Sequence, residues 1–246
     1  EGEESLRGLV DAIKNKKTFD SIPNLVFKKE GRLIKTELKT PRLADLHYPP
    51  SMDTLPKSGN VMVQTSRGCP WGGCLYCTRR SFRNGGRWEP FPNDRVLSHI
   101  EDLVKRGITE MELCDDEFFG GRQEKNISRA LRLADGIKRI REKYKVDLTF
   151  RLFTRPDIVF DTKDPAGNER MREVLMRLKD AGLVKVFIGI ESGSATQIKR
   201  YLRGMSQNEV QGCLEVFKSV GLDIDAGFIM FDPLLTVEEM MQNAIY

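Results

Sequence analysis

From Val61 onward the chain alternates short apolar runs with longer segments whose apolar residues recur every three or four positions, in a unit of about 38 residues. The runs begin near residues 61, 109, 146, 184 and 222 and read VMVQTS, TEMELC, VDLTFRLF, VKVFIGI and LDIDAGFIMF. Their β-branched and aromatic content predicts strands, and their near-continuous apolar character is that of buried parallel strands. Between them, Val96, Ile100 and Leu103, then Ile127, Leu131, Ala134 and Ile137, then Met171, Val174, Leu175 and Leu178 mark helical stripes. Ser206-x-x-Glu209 before Val210, Cys213, Leu214 and Phe217 predicts a capping-box helix start, and Thr236-x-x-Glu239 repeats the device. Gly107, Gly182 and Gly221 stand where helices should stop.

Strand alternating with helix predicts an α/β protein with right-handed crossovers, a parallel sheet and active residues at the carboxyl ends of the strands. Five βα units are visible, too few for a closed eight-fold barrel, so an open or partial barrel is expected. Residues 1–60 differ: a short helix through Leu6, Leu9, Val10 and Ile13, a hairpin around Glu30-Gly31, then a Pro-containing linker. That segment reads as an appendage or the tail of another domain. The lack of an initiator Met and a last helix, Thr236 to Tyr246, without a stop signal read as a piece of something longer.

Composition narrows the class. With 246 residues, 39% hydrophobic, and five cysteines, disorder, collagen and a disulfide scaffold are excluded. No apolar run approaches the roughly 18 to 20 residues that cross a bilayer, and Glu1-Gly2-Glu3-Glu4 is no secretory start, so a reducing, cytoplasmic setting is expected. The net charge of +4 comes from one stretch, Arg67 to Arg95, where Arg67, Arg79, Arg80, Arg83, Arg87 and Arg95 face only Glu89 and Asp94. Three of the five cysteines lie in it. Its basic-aromatic residues Arg79, Arg80, Phe82, Arg83, Arg87, Trp88 and Phe91 read as a loop covering those cysteines, since one stripe in a balanced chain is weak ground for nucleic-acid binding.

Cys69-x4-Cys74-x2-Cys77 follows the first strand directly, embedded in Gly68, Pro70, Gly72 and Gly73. Three thiolates in a loop that can turn tightly suit one metal centre. A structural zinc site wants four ligands, and His47 and His99 are not at finger spacing; a redox pair at Cys74 and Cys77 is a further alternative. A four-iron cluster held by three thiolates leaves one iron open for catalysis. Cys114 and Cys213 need no special role, Cys213 lying on an apolar stripe, and His99 is expected on the surface or flank.

TSRGCPWGGCLYCTRR after a first strand resembles the radical S-adenosylmethionine (radical SAM) superfamily, and the resemblance extends over residues 61–246 through ELCDDEFFGG, FRLFTRPDIV and FIGIESGS. The spacing between the first two cysteines is four, Pro70 to Gly73, where that family usually has three, a departure known among its cobalamin-associated members. The resemblance implies a partial (βα)6 TIM-like barrel whose sixth unit lies beyond Tyr246, and a 4Fe-4S cluster on Cys69, Cys74 and Cys77. The cluster would reductively cleave S-adenosylmethionine to a 5′-deoxyadenosyl radical, with a reductant such as flavodoxin or ferredoxin as partner.

By the same resemblance Tyr76 is the aromatic residue before the last cysteine. Asp115 and Asp116 stand where many members bind the methionine amino group, Glu117 beside them, with a helix N-cap cluster as the plain alternative. Arg155 could grip the methionine carboxylate bidentately, or form an ion pair with Glu191. Thr149, Arg151, Phe153 and Arg155 should share one strand face, and its arginines need anionic partners. Glu191 and Ser192 match the ribose-contacting position, and Met230 and Asp232 would line the pocket. No residue is assigned as catalytic.

The stretches EGEESLRGLVDAIKNKK and IPNLVFKKEGRLIK resemble the connector after a cobalamin-binding domain. Residues 1–60 would then be a connector, and 61–246 the radical SAM core. The leading expectation is cobalamin-dependent methyl transfer to an unactivated carbon. Methylthiolation of tRNA or protein, and a non-catalytic zinc or other metal scaffold, are the alternatives.

Overall fold

The computed structural model describes residues 2–40, 42–46, 61–78 and 87–246, and the chain divides into two compact units, Glu1–Tyr48 and Pro49–Tyr246. The first unit holds helix α1 (Glu3–Lys14), an antiparallel hairpin of β1 (Val26–Lys29) and β2 (Arg32–Lys35), and a 3-10 turn at Leu43–Asp45. Glu30 and Gly31 take φ values of 48° and 78°, the left-handed pair that a two-residue hairpin turn requires. The apolar stripe marks α1 without being its packed face: Leu6, Val10 and Ile13 are exposed, whereas Ser5 and Ala12 are buried.

The second unit runs β3 (Val61–Val63), β4 (Ser66–Arg67), β5 (Glu89–Pro90), α2 (Asn93–Lys105), β6 (Glu110–Leu113), α3 (Glu124–Tyr144), β7 (Thr149–Thr154), α4 (Pro156–Val159), α5 (Pro165–Asp180), β8 (Leu183–Glu191), α6 (Ala195–Arg200), α7 (Gln207–Val220), β9 (Asp223–Phe228) and α8 (Val237–Ile245). β3, β6, β7, β8 and β9 form one sheet in that spatial order, every pair parallel. Five consecutive strands wound one way with helices between them make the partial TIM-like barrel that the repeat predicts. β7 starts later than its apolar run, because α3 continues to Tyr144 and is closed by Lys145 in the left-handed region at φ 52°.

Helix faces and strand faces meet as the periodicities require. Val96, Ile100 and Leu103 of α2, Ile127, Ala134 and Ile137 of α3, and Met171, Val174, Leu175 and Leu178 of α5 are buried. So are Leu152, Val186 and Ile188, on one face of β7 and β8. His99 is a correction to the sequence reading: it is buried at position i+3 of the Val96–Leu103 stripe, and burial lowers its pKa. Ser206–Glu209 and Thr236–Glu239 both form capping boxes, and Gly221 ends α7 at φ 69°. Among the described residues no helix is long and apolar enough to cross a membrane.

The other face of the sheet is polar. Register sets Glu112, Arg151 and Lys185 side by side, and Glu112 pairs with Arg151 while Lys185 reaches Asp225 at 3.2 Å. Arg151 thus has the anionic partner its position demanded, on the neighbouring strand. Phe153 and Phe187 lie one step further along, ring centroids 5.1 Å apart.

Candidate active site

The site is built where β3, β6, β7 and β8 end. Thr65 and Ser66 continue from β3 into the two-residue ribbon β4–β5, which was too short to leave a periodic signal. Gly68 follows at φ 89°, and a Cβ there would lie 2.2 Å from the Arg87 carbonyl oxygen, so only glycine fits. Its amide donates to Asp116 Oδ2 at 2.9 Å. The chain enters the cysteine loop from a fixed direction as a result.

That loop is docked on the segment after α6. Trp71 Nε1 donates to the Leu202 carbonyl at 2.8 Å, and the Leu75 amide donates to the Tyr201 carbonyl at 3.0 Å. The four residues between Cys69 and Cys74 place the Trp71 ring over two glycines: a Cβ at Gly73 or Gly204 would come within 2.9 or 2.3 Å of it. Cys74 is buried, whereas Cys69 and Cys77 are partly exposed. Burial pushes the Cys69 thiol up, opposed by the Gly72 amide and by Arg155.

Two guanidinium groups converge on Cys74. Arg203 Nη1 is 3.7 Å and Arg155 Nη1 is 3.9 Å from its Sγ. Arg203, itself buried, also donates to Tyr76 Oη at 2.9 Å and to the Gly189 carbonyl at 2.5 Å, and lies 3.7 Å from Glu191 Oε1. The sequence reading missed Arg203, because KRYLRG reads as a solvated basic turn; its one cue is the adjoining Gly204. Tyr76 is thereby held between the loop and β8, its ring edge-on to Tyr201 at 5.3 Å. Burial pushes its hydroxyl pKa far up, against the pull of Arg203.

Several of the expected site residues have protein partners of their own. Arg155 pairs with Asp157 at 2.9 Å, and the same Nη2 donates to the Arg203 carbonyl, so the ion pair weighed for Glu191 is made by Arg203 instead. That sharing leaves no open two-nitrogen fork for a carboxylate. Burial opposes its charge, but Asp157 and the neighbouring Cys69 and Cys74 outweigh it and hold the guanidinium protonated.

Asp115 is sealed in: Oδ1 accepts from the Thr65 and Ser66 amides at 2.6 and 2.8 Å, and Oδ2 from the Thr65 hydroxyl. Asp115 is also buried, so an ammonium could reach it only if this packing opened. Asp116, by contrast, is exposed at the end of β6. Glu117 is fully buried, accepting from Thr154 Oγ1 at 2.7 Å and from the Phe119 and Gly120 amides. The acidic run is not an N-cap, since α3 begins after Gln123.

Glu191 ends β8 at φ 69°, where the β8–β9 register slips between Gly189 and Glu191. Ser192 is buried in a network with Gln197 Oε1 at 2.6 Å and Asn243 Oδ1 at 2.8 Å, so its hydroxyl faces protein rather than the opening. Asp232 is held by protein partners as well: Tyr201 and Gln197 each donate to it at 2.7 Å. Met230 is exposed beyond β9. Cys213 is packed within α7, and Cys114 is half-buried with its thiol pushed up to about 11 by burial and Asp115. Arg79, Arg80, Phe82 and Arg83 lie outside the described residues. Trp88 packs inward, donating to the Glu117 carbonyl at 2.7 Å with the Arg129 guanidinium 5.2 Å from its ring.

Among the described residues no three His, Cys, Asp or Glu side chains already converge as a metal-holding group. The donor set nevertheless suits an iron–sulfur cluster: three thiols in one glycine-hinged loop, two N–H donors aimed at the buried one, and a buried Arg203 Nε without a partner.

The chain belongs to the radical SAM superfamily, whose sequence profile matches residues 63–244. That family uses a 4Fe-4S cluster and S-adenosylmethionine. The chain is 28% identical to 4′-phospho-dehydrooxetanocin synthase of Priestia megaterium, over 96% of this chain and 32% of that protein. It is 27% identical to an uncharacterised methyltransferase of Pyrococcus horikoshii, over 98% of this chain and 50% of that one. It therefore spans a third to a half of the length of these curated relatives. The solved structure of the cobalamin-dependent S-adenosylmethionine radical enzyme OxsB, with aqua-cobalamin and S-adenosylmethionine bound, superposes with a TM-score of 0.86 at 25% identity, covering 99% of this chain and 34% of that one. The radical S-adenosylmethionine methyltransferase TsrM from Kitasatospora setae, at 19% identity and a TM-score of 0.68 over 92% of this chain and 44% of that one, shares the fold.

Proposed function

We propose that this chain is the core of a cobalamin-dependent radical SAM enzyme, with methyl transfer to an unactivated carbon as its reaction. The observation that carries the reading is the Cys69–Cys77 loop, docked at the carboxyl ends of a parallel sheet with two guanidinium groups on Cys74. When bound, a 4Fe-4S cluster supplies one electron that splits S-adenosylmethionine into methionine and a 5′-deoxyadenosyl radical, and cobalamin supplies the methyl group.

The chain's own residues do the rest. Cys69, Cys74 and Cys77 are the three ligands. Asp116, exposed at the end of β6, accepts the methionine ammonium, a charge-assisted contact. Glu191 accepts from the ribose hydroxyls, its backbone held outward by the register slip beside Gly189. Tyr76, fixed by Arg203, stands in the same loop between Cys74 and Cys77. Residues 1–60 serve as a connector to a cobalamin-binding domain and 61–246 as the catalytic core, a division supported by the similarity to cobalamin-dependent OxsB across 99% of the chain. A flavodoxin- or ferredoxin-type reductant and a cytoplasmic setting complete the reading.

Anaerobic reconstitution followed by electron paramagnetic resonance tests it. The reduced protein should show a cluster signal that changes when S-adenosylmethionine is added, and release 5′-deoxyadenosine. Replacing Cys69, Cys74 and Cys77 by Ala should remove both; a protein that takes up no iron, or a triple variant that still makes 5′-deoxyadenosine, overturns the reading. Spectral titration of the full-length protein with aquacobalamin tests the cobalamin step separately.

A further inference from the structure

We infer that Arg203, seconded by Arg155, sets the reduction potential of the cluster through Cys74, a role that rests on the function proposed above. The three cysteines are not equivalent. Cys74 alone among them is buried, and both guanidinium groups reach its sulfur, at 3.7 and 3.9 Å. Cys69 and Cys77 are partly exposed.

The two cations differ in how far they are neutralised. Arg155 has a close carboxylate, Asp157 at 2.9 Å, so it presents a nearly neutral pair. Among the described residues Arg203 has only Glu191 within salt-bridge reach, at 3.7 Å, and its other partners besides Cys74 are the neutral Tyr76 hydroxyl, Gly189 carbonyl and Met205 sulfur. Its Nε is buried without a partner among the described residues. Arg203 is therefore the less compensated buried positive charge, held within a few ångström of a cluster ligand.

Reduction adds one electron to the cluster, and a fixed cation in a poorly screened site favours the state that carries the extra negative charge. An N–H donated to a ligand sulfur acts in the same sense. Arg203 should thus raise the potential and make the cluster easier to reduce. The electron's destination, the sulfonium of S-adenosylmethionine, is unchanged by this; what Arg203 alters is the ease of loading the electron. Arg203 is a positioning and tuning residue, since it acts through Cys74.

The test is a redox titration of the reconstituted full-length protein, followed by electron paramagnetic resonance, for wild type, Arg203→Lys, Arg203→Gln and Arg155→Gln. Arg203→Gln should have a more negative midpoint by at least the equivalent of a tenfold change in the reduction equilibrium, about 59 mV for a one-electron couple. Arg203→Lys keeps the charge and should fall between that variant and wild type, and Arg155→Gln should shift the least. Matched midpoints at full iron content in wild type, Lys and Gln variants overturn the inference and leave the cluster assignment standing. If wild type itself takes up no cluster, the underlying functional reading has failed instead. Should Arg203→Gln not load, the charge-removing Arg203→Met against wild type and Arg203→Lys decides: equal midpoints reject the role, a more negative one in Met supports it.

Discussion

Thr65 and Asp115 bind each other twice: the Thr65 amide donates to Oδ1 at 2.6 Å, and its hydroxyl donates to Oδ2. With the Ser66 amide at 2.8 Å, one buried carboxylate ties the end of β3 to the end of β6 just ahead of the cysteine loop. Asp115→Ala should cost about 1–3 kcal/mol or more, because it strands buried donors. Urea unfolding of the metal-free protein measures it, and a midpoint within error of wild type would reject the staple.

The same burial makes stability depend on pH. Burial pushes Asp115 up to about 6, against the pull of Arg129, and Glu117 up to about 7, against its hydrogen bonds from Thr154 and the Gly120 amide. Unfolded, such groups titrate near 3.9 and 4.3. Between about pH 4 and 7 the folded state therefore holds protons that the unfolded state has released, and the contribution of these groups is complete below pH 4 and lost as pH rises through 6 to 7. The loss is on the order of 3 kcal/mol per group. Asp115→Asn cannot titrate, so its stability should fall less than that of wild type between pH 4.5 and 8; parallel profiles would count against the assignment.

These carboxylates show where sequence reading stops. Strand positions, both capping boxes and the helix stops were legible because each is a local pattern of apolar spacing or cap chemistry. Cys69, Cys74 and Cys77 were legible as a group because they share one loop. Asp115 and Asp116 are neighbours of one residue type, yet one is sealed and the other exposed, since strand alternation carries no record of which side chain the next strand's amides will meet. Arg203 lies 129 residues from Cys74 along the chain, and no local pattern encodes a contact of that kind.

Gly204 is the hinge on which the cysteine loop rests. It sits at φ 69°, and its missing Cβ leaves room for the Trp71 ring. Gly204→Ala should therefore carry two penalties, roughly 1 kcal/mol for the left-handed backbone and a further steric cost. In a Trp71→Ala background the steric part should vanish, leaving only the backbone part. A double-mutant cycle by denaturant titration, read with iron content after reconstitution, checks this; strict additivity would show that ring and glycine are not in contact.

Arg200 is the clasp of the last helix. It meets Glu239 with both Nη atoms at 2.8 Å and Asp232 at 3.2 Å, and its hydrogen bonds, with that of Thr196, hold Glu239 down at about 2. Arg200→Met leaves two carboxylates without their cation, so α8 should lose protection in hydrogen exchange while the sheet keeps its own. Since Asn243 of α8 also bonds Ser192, the loop after β8 should lose protection together with α8. Equal exchange rates in α8 would dismiss the clasp.

Glu191 joins a left-handed backbone and a carboxylate at a single position. A non-glycine residue at φ 69° costs on the order of 1 kcal/mol, and the structure keeps it beside a register slip where the strand's carboxyl end opens. Glu191→Gly removes that strain and the carboxylate together, whereas Glu191→Ala removes only the carboxylate. If the carboxylate serves the cofactor's ribose, both variants should bind S-adenosylmethionine about tenfold or more weaker, the scale of one charge-assisted hydrogen bond. Glu191→Gly should nonetheless be the more stable of the two by up to about 1 kcal/mol. Isothermal titration on the cluster-loaded protein and denaturant unfolding separate the two effects. Unchanged affinity in both would assign Glu191 to its ion pair with Arg203 alone, and a Gly variant less stable than the Ala variant would show that the left-handed backbone carries no strain.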